Sequence, residues 1–393
     1  MRAGFFHGRM GKDMHTAKTF IKKYKLFLLI ILWLAVLFAV GSVSQNFSTF
    51  SGLRTCSSKL YSPFYRWDSS WYTQIAQKGY KSFSVTQNSS IAYWPLYPAT
   101  IWLVHEIHST TFQYTQTFLS IVYAIIALLM LYKLARIDYD ERKSLIVVAV
   151  TMFFPAAYFF VSGYPESLFL LLVILSFYFA RKEKWLLAGI AAGLLALTKP
   201  YGVLITPALF FEYWFAYGKQ TKIFLQKFSW SWLCLPILSV VGFMVFNFLR
   251  FGNALAFLET EQSWGRSLGN PFVSLYFEAK DYVTPPAHLL TGSGFPYLIY
   301  VASFFLFLWA LKVSWTRVRK SYLLFTVLVM LIAFLTGTLT SWDRYMMTSL
   351  ATLIGIGVYL SEKKNYILYS YLIISFLLFV SMASLFVRCF PVE

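Results

Sequence analysis

The stretch between positions 65 and 80 carries the most evident chemistry of this sequence. Asp68 supplies a carboxylate and Arg66 a guanidinium, in a setting of aromatic side chains that comprises Trp67, Trp71 and Tyr72. Desolvation among aromatic rings raises the pKa of a carboxyl group and suits it to act as a general base. The alternative is an aromatic belt at a membrane surface, in which Arg66 and Asp68 form a structural ion pair. The spacing alone favours neither.

Two more acids and two cations lie where polar segments meet apolar runs. Glu166 and Asp343 hold such positions, and ionisable groups at the edge of a bilayer are functional candidates. Lys199 lies in the helix-breaking segment 198–202, and Arg344 follows Asp343. A cation at a broken helix can hold a phosphate. The alternatives are a lysine that snorkels from a helix end and an Arg344 that pairs with Asp343.

The sequence predicts no metal and no other cofactor. His105 and His108 flank Glu106, but on a helix this spacing does not bring the three side chains to one tight face. A GxxxxGK[ST] phosphate loop is also missing from the sequence, so ATP-driven chemistry is not indicated. Three cysteines, Cys56, Cys234 and Cys389, make both a disulfide framework and a zinc site unexpected.

The elements that position these residues follow from composition. Of 393 residues, 58% are hydrophobic and 13% charged, with a mean hydropathy of +0.60. Soluble domains carry about 25% charged residues, so a soluble globular protein is excluded. The sequence predicts an all-α polytopic membrane protein.

Apolar runs long enough to cross a bilayer predict about eleven spans. The run 185–216 is broken at 198–202 and predicts two half-spans, and Gly189 and Gly193 in its first half predict close helix packing. The remaining predicted spans are 26–43, 116–134, 145–161, 165–180, 230–249, 296–312, 321–340, 345–360 and 366–387.

The distribution of charge predicts the topology. With the N-terminus in the cytoplasm, 23 of the 34 Lys and Arg and 7 of the 16 Asp and Glu fall in the cytoplasmic segments, so +16 of the net +18 lies on that side. This is the positive-inside pattern. The cations are spread over short turns, so a nucleic-acid partner is not predicted. The cytoplasmic segments are 1–25, 132–144, 181–184, 212–227, 312–320 and 361–364.

The long loops fall on the predicted outer side, where we expect the chemistry. The first outer loop contains an apolar segment, 94–107, that is too short to span and predicts an interfacial helix. We treat 1–393 as one membrane domain. Its parts are the retained signal-anchor span 26–43, the first outer loop 44–115, the central spans 116–249, the second outer loop 250–295 and the C-terminal spans 296–387.

Several short motifs occur in an order that resembles a known family. They are RWD at 66–68, AQKGY at 76–80, WPLYP at 94–98, YPESLF at 164–169 and TKPYG at 198–202. This order resembles the PIG-V-like mannosyltransferases of the GT-C superfamily over roughly residues 60–210. Lys199 stands where the family has Arg, which keeps the charge but loses the planar fork for phosphate.

The resemblance implies a glycosyltransferase that takes a sugar, mannose being expected, from a polyprenyl- or dolichyl-phosphate donor and transfers it with inversion on the non-cytoplasmic face. Asp68 would be the general base, and Glu166 would orient the acceptor or assist the base. The phosphate would be held by Lys199 and Arg344. No metal is implied. The expected substrate-binding residues are Arg66, Trp67, Trp71, Tyr80, Tyr97, Lys199, Asp343 and Arg344.

Partners follow from the same resemblance. Besides membrane lipids, we expect a polyprenyl-phosphate sugar donor and an acceptor that is a glycan, a lipid or a protein. The location is the cell membrane with a cytoplasmic N-terminus, or the endoplasmic reticulum membrane if the source is eukaryotic. The alternatives are a transporter or flippase of a lipid-linked sugar and a silent scaffold for another transferase.

Overall fold

The computed structural model describes residues 3–47, 62–81, 83, 89–218, 228–264, 266, 269–272, 276, 280, 294–336, 338–339, 341–390 and 392. Within these ranges every regular element is a helix, which confirms the all-α prediction. The α-helices are α1 Ala3–Ser44, α2 Ser69–Lys78, α3 Leu96–His108, α4 Phe112–Asp138, α5 Glu141–Met152, α6 Glu166–Arg181, α7 Trp185–Ala196, α8 Ile205–Tyr217, α9 Leu235–Phe251, α10 Ala256–Thr260, α11 Gly294–Ser314, α12 Lys320–Leu335, α13 Trp342–Met347, α14 Leu350–Ser361 and α15 Asn365–Val387. Short 3-10 helices lie at Ser90–Ala92, Ala157–Val161, Pro200–Leu204, Phe228–Cys234 and Glu261–Trp264.

Four of the described helical segments are long and apolar enough to cross a membrane. They are Tyr24–Ser44 of α1, Phe112–Asp138, Phe228–Phe251 and Asn365–Val387. The helices α7, α12 and α14 are apolar but only 12 to 16 residues long. The total of eleven spans therefore stays a prediction.

Two predicted spans are not continuous helices. The run 145–161 divides into α5 and a separate 3-10 helix, with Pro155 between them. Proline has no N–H to donate and clashes with the preceding turn, so the α-helix ends before it. The run 345–360 begins inside the short helix α13, which ends at Met347, and continues as α14 from Leu350.

Within the bundle, α6 packs against both α4 and α7, and α5 packs against α14. The predicted break in the run 185–216 is confirmed, because α7 ends at Ala196 and the 3-10 helix Pro200–Leu204 leads into α8. A Cβ atom at Gly202 would collide with the carbonyl oxygen of Leu195. The break therefore needs a residue without a side chain at this position.

The small residues of α7 serve helix packing, as predicted. A Cβ atom at Gly189 would collide with the backbone carbonyl of Trp232, and one at Gly193 would lie 3.1 Å from the hydroxyl of Ser239. These contacts bring α7 close to the segment 228–251. The predicted interfacial segment of the first outer loop forms the helix α3.

Ion pairs join the segments predicted to be cytoplasmic. Arg181 binds Asp138 through two hydrogen bonds of 2.6 and 2.7 Å, and Arg317 lies 2.8 Å from Glu362. Each pair connects two different segments of the predicted set. The remaining pairs of this kind are Lys25 with Glu141 at 3.2 Å and Arg319 with Glu212 at 2.5 Å. These segments therefore lie at one end of the bundle.

The sequence makes disulfide stapling unexpected, but the structure contains a disulfide bond. Cys389 is disulfide-bonded and Cys234 is a free thiol. Counting cysteines excluded a framework of several bridges, but it cannot exclude a single bridge, because pairing depends on which chain segments meet in space.

Candidate active site

Asp68 lies at the N-terminal end of α2, where its carboxylate is free to meet other segments. Aspartate at this position usually caps the helix by accepting a backbone N–H, as Asp140 does for α5. Asp68 makes no such bond. Its Oδ1 instead accepts a hydrogen bond of 2.8 Å from the hydroxyl of Tyr93, and its Oδ2 lies 3.5 Å from Nη1 of Arg344. The side chain stays 23% exposed, so a substrate hydroxyl can reach it.

A buried amide fixes the backbone beside Asp68. Gln116 of α4 is fully buried, and its Nε2 donates to the carbonyl of Ser69 at 2.9 Å and to that of Gly163 at 2.5 Å. Its Oε1 accepts from the hydroxyl of Thr73 at 2.5 Å. Gly163 has a φ of +71°, a left-handed conformation that suits glycine. Gln116 thus binds the start of α2 and the turn before α6 together.

The same turn contacts Asp68 directly. The backbone N–H of Asp68 donates to the hydroxyl of Tyr164 at 3.1 Å, and the hydroxyl of Ser69 donates to the carbonyl of Ser162 at 2.8 Å. The preceding residue, Trp67, has a φ of +49°. A left-handed tryptophan is strained, and these contacts hold it in place.

Glu166 begins α6 and binds both cations of the site. Its Oε1 accepts from Nζ of Lys199 at 2.7 Å and from Nη2 and Nε of Arg344 at 2.8 and 3.1 Å. Glu166 is fully buried, whereas the side chains of Lys199 and Arg344 are 13% and 11% exposed. Its Oε2 has no hydrogen-bond partner within the described ranges. The structure therefore joins four predicted residues, Asp68, Glu166, Lys199 and Arg344, in one cluster.

Aromatic rings lie under both cations. The guanidinium of Arg344 lies 4.8 Å from the ring centroid of Tyr164, and Nζ of Lys199 lies 5.7 Å from that of Tyr201. Cation–π contacts of this length are attractive. At the mouth of the cluster, Trp71 stacks on Tyr93 with ring centroids 5.6 Å apart. Trp71 is half-buried and Tyr93 is buried, so the accessible part of the Trp71 ring next to the carboxylate suits a sugar ring.

The second outer loop adds an acid and a cation that sequence reasoning missed. Glu261 and Arg266 lie near Asp68, and Oε2 of Glu261 is 3.8 Å from Nη1 of Arg266. Burial raises the pKa of the Glu261 carboxyl, Arg266 lowers it, and the charge of Asp68 raises it further. No motif in the sequence distinguishes this pair from other loop charges.

Tyr93 and Gln116 were also missed, although each leaves a weak signal. Tyr93 directly precedes the WPLYP motif. Gln116 is a polar residue at the start of an apolar span, and buried polar groups in spans are functional candidates. Their contribution to the site is evident only from the groups that they contact in the folded protein.

Asp343 is buried beside the cluster without pairing with the neighbouring guanidinium. It is 1% exposed, its Oδ1 accepts the backbone N–H of Arg344 at 3.0 Å, and its Oδ2 has no partner within the described part of the chain. Burial raises the pKa of Asp343 to about 6. The alternative of an Asp343–Arg344 ion pair is therefore wrong, because Arg344 points to Glu166 and Asp68.

Arg66 lies apart from the cluster. Its Nε donates to the carbonyl of Val387 at 3.1 Å and its Nη1 to that of Tyr65 at 2.9 Å, and only 6% of the residue is exposed. The structure contradicts the ion pair of Arg66 with Asp68, whereas a substrate contact by Arg66 stays a prediction. The guanidinium instead fastens the first outer loop to the end of α15.

Three more residues predicted to bind the substrate are Tyr80, Tyr97 and Trp67. Tyr97 is fully buried and its hydroxyl bonds to that of Ser120 at 2.6 Å, and its contact with a substrate stays a prediction. The hydroxyl of Tyr80 donates to the carbonyl of Tyr93 at 2.6 Å. The Nε1 of Trp67 is buried and has no partner in the segments described.

An apolar groove of about 850 Å³ lies between α2, α3 and α9. Tyr80 lines it, as does Leu197, two residues before Lys199. Apolar rings form much of its wall, and Lys78 and Arg250 supply its cations; the rings include Trp102, Phe243 and Phe246.

His105 serves packing in this structure. Its ring stacks on Phe112 with centroids 3.6 Å apart. Among the described residues, no group of three or more His, Cys, Asp or Glu side chains is placed to hold a metal ion.

Comparisons with known proteins show which class of fold this is. The chain resembles the oligosaccharyltransferase of Archaeoglobus fulgidus in its apo form, with a TM-score of 0.52, 15% identity and coverage of 93% of this chain and 56% of the other. It also resembles ArnT from Cupriavidus metallidurans bound to undecaprenyl phosphate, with a TM-score of 0.51, 14% identity and coverage of 88% and 62%. These likenesses show that the chain shares the fold of these two proteins.

The sequence itself matches a family model over part of its length. The model describes dolichyl-phosphate-mannose-protein mannosyltransferases and matches residues 92–246. The chain spans 56% to 62% of the length of the solved structures named above. A comparison with curated protein sequences finds no match. The narrower likeness to PIG-V-like enzymes remains a prediction.

Proposed function

We propose that this protein is a membrane glycosyltransferase that transfers a sugar with inversion from a polyprenyl-phosphate donor to an acceptor hydroxyl, with Asp68 as general base. Mannose is the sugar we favour, because the matched family model describes mannosyltransferases. The solved ArnT was bound to undecaprenyl phosphate, which supports the class of donor.

One observation carries this proposal. A partly exposed carboxylate, that of Asp68, lies 3.5 Å from a guanidinium whose other nitrogens are held by a fully buried glutamate. Lys199 binds the same glutamate oxygen at 2.7 Å. A proton acceptor and two fixed cations next to one opening are the parts that an inverting transfer from a phosphate ester requires.

The reaction then proceeds as a single displacement. The acceptor nucleophile gives its proton to a carboxylate oxygen of Asp68 and attacks the anomeric carbon. The bond between that carbon and the phosphate oxygen breaks, and its electron pair leaves with the lipid phosphate. Lys199 and Arg344 stabilise the charge that develops on the phosphate, because fixed cations need no reorganisation during the reaction.

Glu166 has a positioning role in this scheme, which replaces the catalytic role expected from the sequence. Its carboxylate is fully buried and Oε1 already accepts three hydrogen bonds from the two cations. Such a group orients Lys199 and Arg344 without touching the substrate.

The apolar groove supports a donor with an isoprenoid chain. The disulfide supports a site on the non-cytoplasmic side of the membrane. A groove of 850 Å³ lined by Trp102 and Phe246 suits the isoprenoid chain of the donor. The disulfide-bonded Cys389 lies near Val387, which accepts a hydrogen bond from Arg66 in the first outer loop. Disulfides persist outside the reducing cytosol, which favours a non-cytoplasmic site.

The test is donor turnover by purified protein. Polyprenyl-phosphate mannose is supplied with a panel of glycan, lipid and peptide acceptors, and release of polyprenyl phosphate is measured. We expect Asp68→Asn to slow release by about 10²-fold or more, while Glu106→Gln, an exposed acid on α3, leaves it unchanged. Full turnover by a folded Asp68→Asn protein contradicts the role of Asp68.

The transporter alternative is tested with the same donor in vesicles. The protein is a flippase and not a glycosyltransferase if intact polyprenyl-phosphate mannose moves across the bilayer without any transfer or release of polyprenyl phosphate.

A further inference from the structure

A second cavity lies at the end of the bundle away from Asp68. It has a volume of about 620 Å³ and forms where α4 and α6 end. Its lining residues are Tyr132, Lys133, Arg136, Ile137, Tyr178 and Lys182. Three of the six are cations and none is an acid. Because α6 rises about 1.5 Å per residue, this cavity is roughly 22 Å from Glu166 at the other end of the same helix.

The donors of this cavity are available to a ligand. The two lysines and the two tyrosine hydroxyls make no hydrogen bond or ion pair with any described residue, and Arg136 uses one nitrogen, Nη1, to bind the carbonyl of Tyr139 at 2.7 Å. Two acids adjoin lining residues in sequence: Glu183, whose Oε2 accepts a hydrogen bond of 2.6 Å from the hydroxyl of Tyr217, and Asp138, which Arg181 engages through two hydrogen bonds. The charge of Asp138 is therefore matched by a residue outside the cavity lining.

The apolar surface next to the cavity indicates what kind of anion fits. Phe118 and Ile126 are exposed on α4. Phe118 lies eight residues before Ile126, which lies seven residues before Lys133. Such spacings place side chains on one face of a helix. Tyr132 and Tyr178 are half-buried, as tyrosines often are where a membrane meets water.

We propose that this cavity binds the phosphate group of an anionic phospholipid in the leaflet opposite to Asp68. Lys133, Arg136 and Lys182 contact the phosphate, the tyrosine hydroxyls donate to its oxygens, and an acyl chain lies along the exposed apolar face of α4. The lipid joins the ends of α4 and α6, which pack against each other. This site stands independently of the proposed glycosyl transfer.

Lipid binding to the purified full chain tests the proposal. Phosphatidylglycerol and phosphatidylcholine are added separately, and native mass spectrometry gives the affinity of each. The test variant is Lys133→Gln/Arg136→Gln/Lys182→Gln. The control is Lys312→Gln/Lys363→Gln/Lys364→Gln, which removes equal charge from exposed positions at the same end of the bundle.

We expect the wild type and the control to bind phosphatidylglycerol alike and the test variant to bind it about a hundredfold more weakly, because each cation near an anionic lipid contributes roughly a fivefold change. If the triple variant does not fold, the single variant Lys182→Gln replaces it. We expect this variant to bind phosphatidylglycerol about fivefold more weakly than the wild type. Equal loss in test and control variants overturns the proposal. Competition by inorganic phosphate as strong as by the lipid also overturns it, since the site would then bind free phosphate.

Discussion

Replacing Glu166 by glutamine separates a positioning role from a catalytic one. Glu166 is fully buried, and its Oε1 lies 2.7 Å from Nζ of Lys199 and 2.8 Å from Nη2 of Arg344. Glu166→Gln keeps the shape but removes the charge, so two mostly buried cations lose their common partner. Breaking a buried ion pair in this way costs roughly 3–5 kcal/mol of unfolding free energy.

The control is the same substitution in an exposed ion pair. Glu362 lies 2.8 Å from Arg317 and its side chain is 38% exposed. Because solvent screens such a pair, Glu362→Gln should cost about 0–1 kcal/mol. Unfolding free energies of both variants are measured by titration with a denaturing detergent in mixed micelles.

A double substitution identifies the partner. Adding Lys199→Met to Glu166→Gln removes one of the orphaned cations, so the double variant should be more stable than the sum of the two single losses by about 0.5–3 kcal/mol. The reasoning is refuted if Glu166→Gln destabilises no more than Glu362→Gln. If it leaves stability intact and abolishes donor turnover, Glu166 takes part in the reaction itself.

Three further predictions follow from the surroundings of the cluster. Gln116→Leu leaves the carbonyls of Ser69 and Gly163 without their buried donor, so we expect a loss of about 1–3 kcal/mol of unfolding free energy together with slower turnover; a stable variant with wild-type turnover contradicts its positioning role. Asp343 has its pKa raised to about 6 from an ordinary value of 3.8. Its folded form holds the proton more tightly than its unfolded form, so stability present below about pH 4 is lost as the pH rises through about 6; Asp343→Asn should match the wild type at pH 4 and exceed it by about 3 kcal/mol at pH 8, and an unchanged pH profile would exclude this assignment. Gly202→Ala introduces a Cβ against the carbonyl of Leu195 and should lower the melting temperature and donor turnover together, because the shift reaches Lys199; unaffected turnover would show that the break tolerates a side chain.

Local composition was enough to predict the kind of protein and several of its elements. A chain with 58% hydrophobic and 13% charged residues forms apolar helices, and the close spacing of Pro200 and Gly202 in segment 198–202 favours a helix end. The helix α3 and the break before α8 were therefore predictable. These features depend on residues that are neighbours in the sequence.

The sequence also supplied four members of the cluster, but as separate candidates. Ionisable groups at the ends of apolar runs are few, so Asp68, Glu166, Lys199 and Arg344 were identified from their positions. Their pairing was not, and the plausible local partners were wrong: Arg66 does not bind Asp68, and Asp343 does not bind the guanidinium of Arg344.

Only the tertiary structure decided which groups meet. Glu166 binds Lys199 across 33 positions of the sequence and Arg344 across 178. Gln116 reaches the backbone of Ser69 across 47 positions. A side chain at the end of a helix is directed by the packing of whole helices against one another, and no local pattern encodes that packing. The sequence by itself determined the helices and the supply of charges, whereas the fold determined that Glu166 holds both cations beside the carboxylate of Asp68.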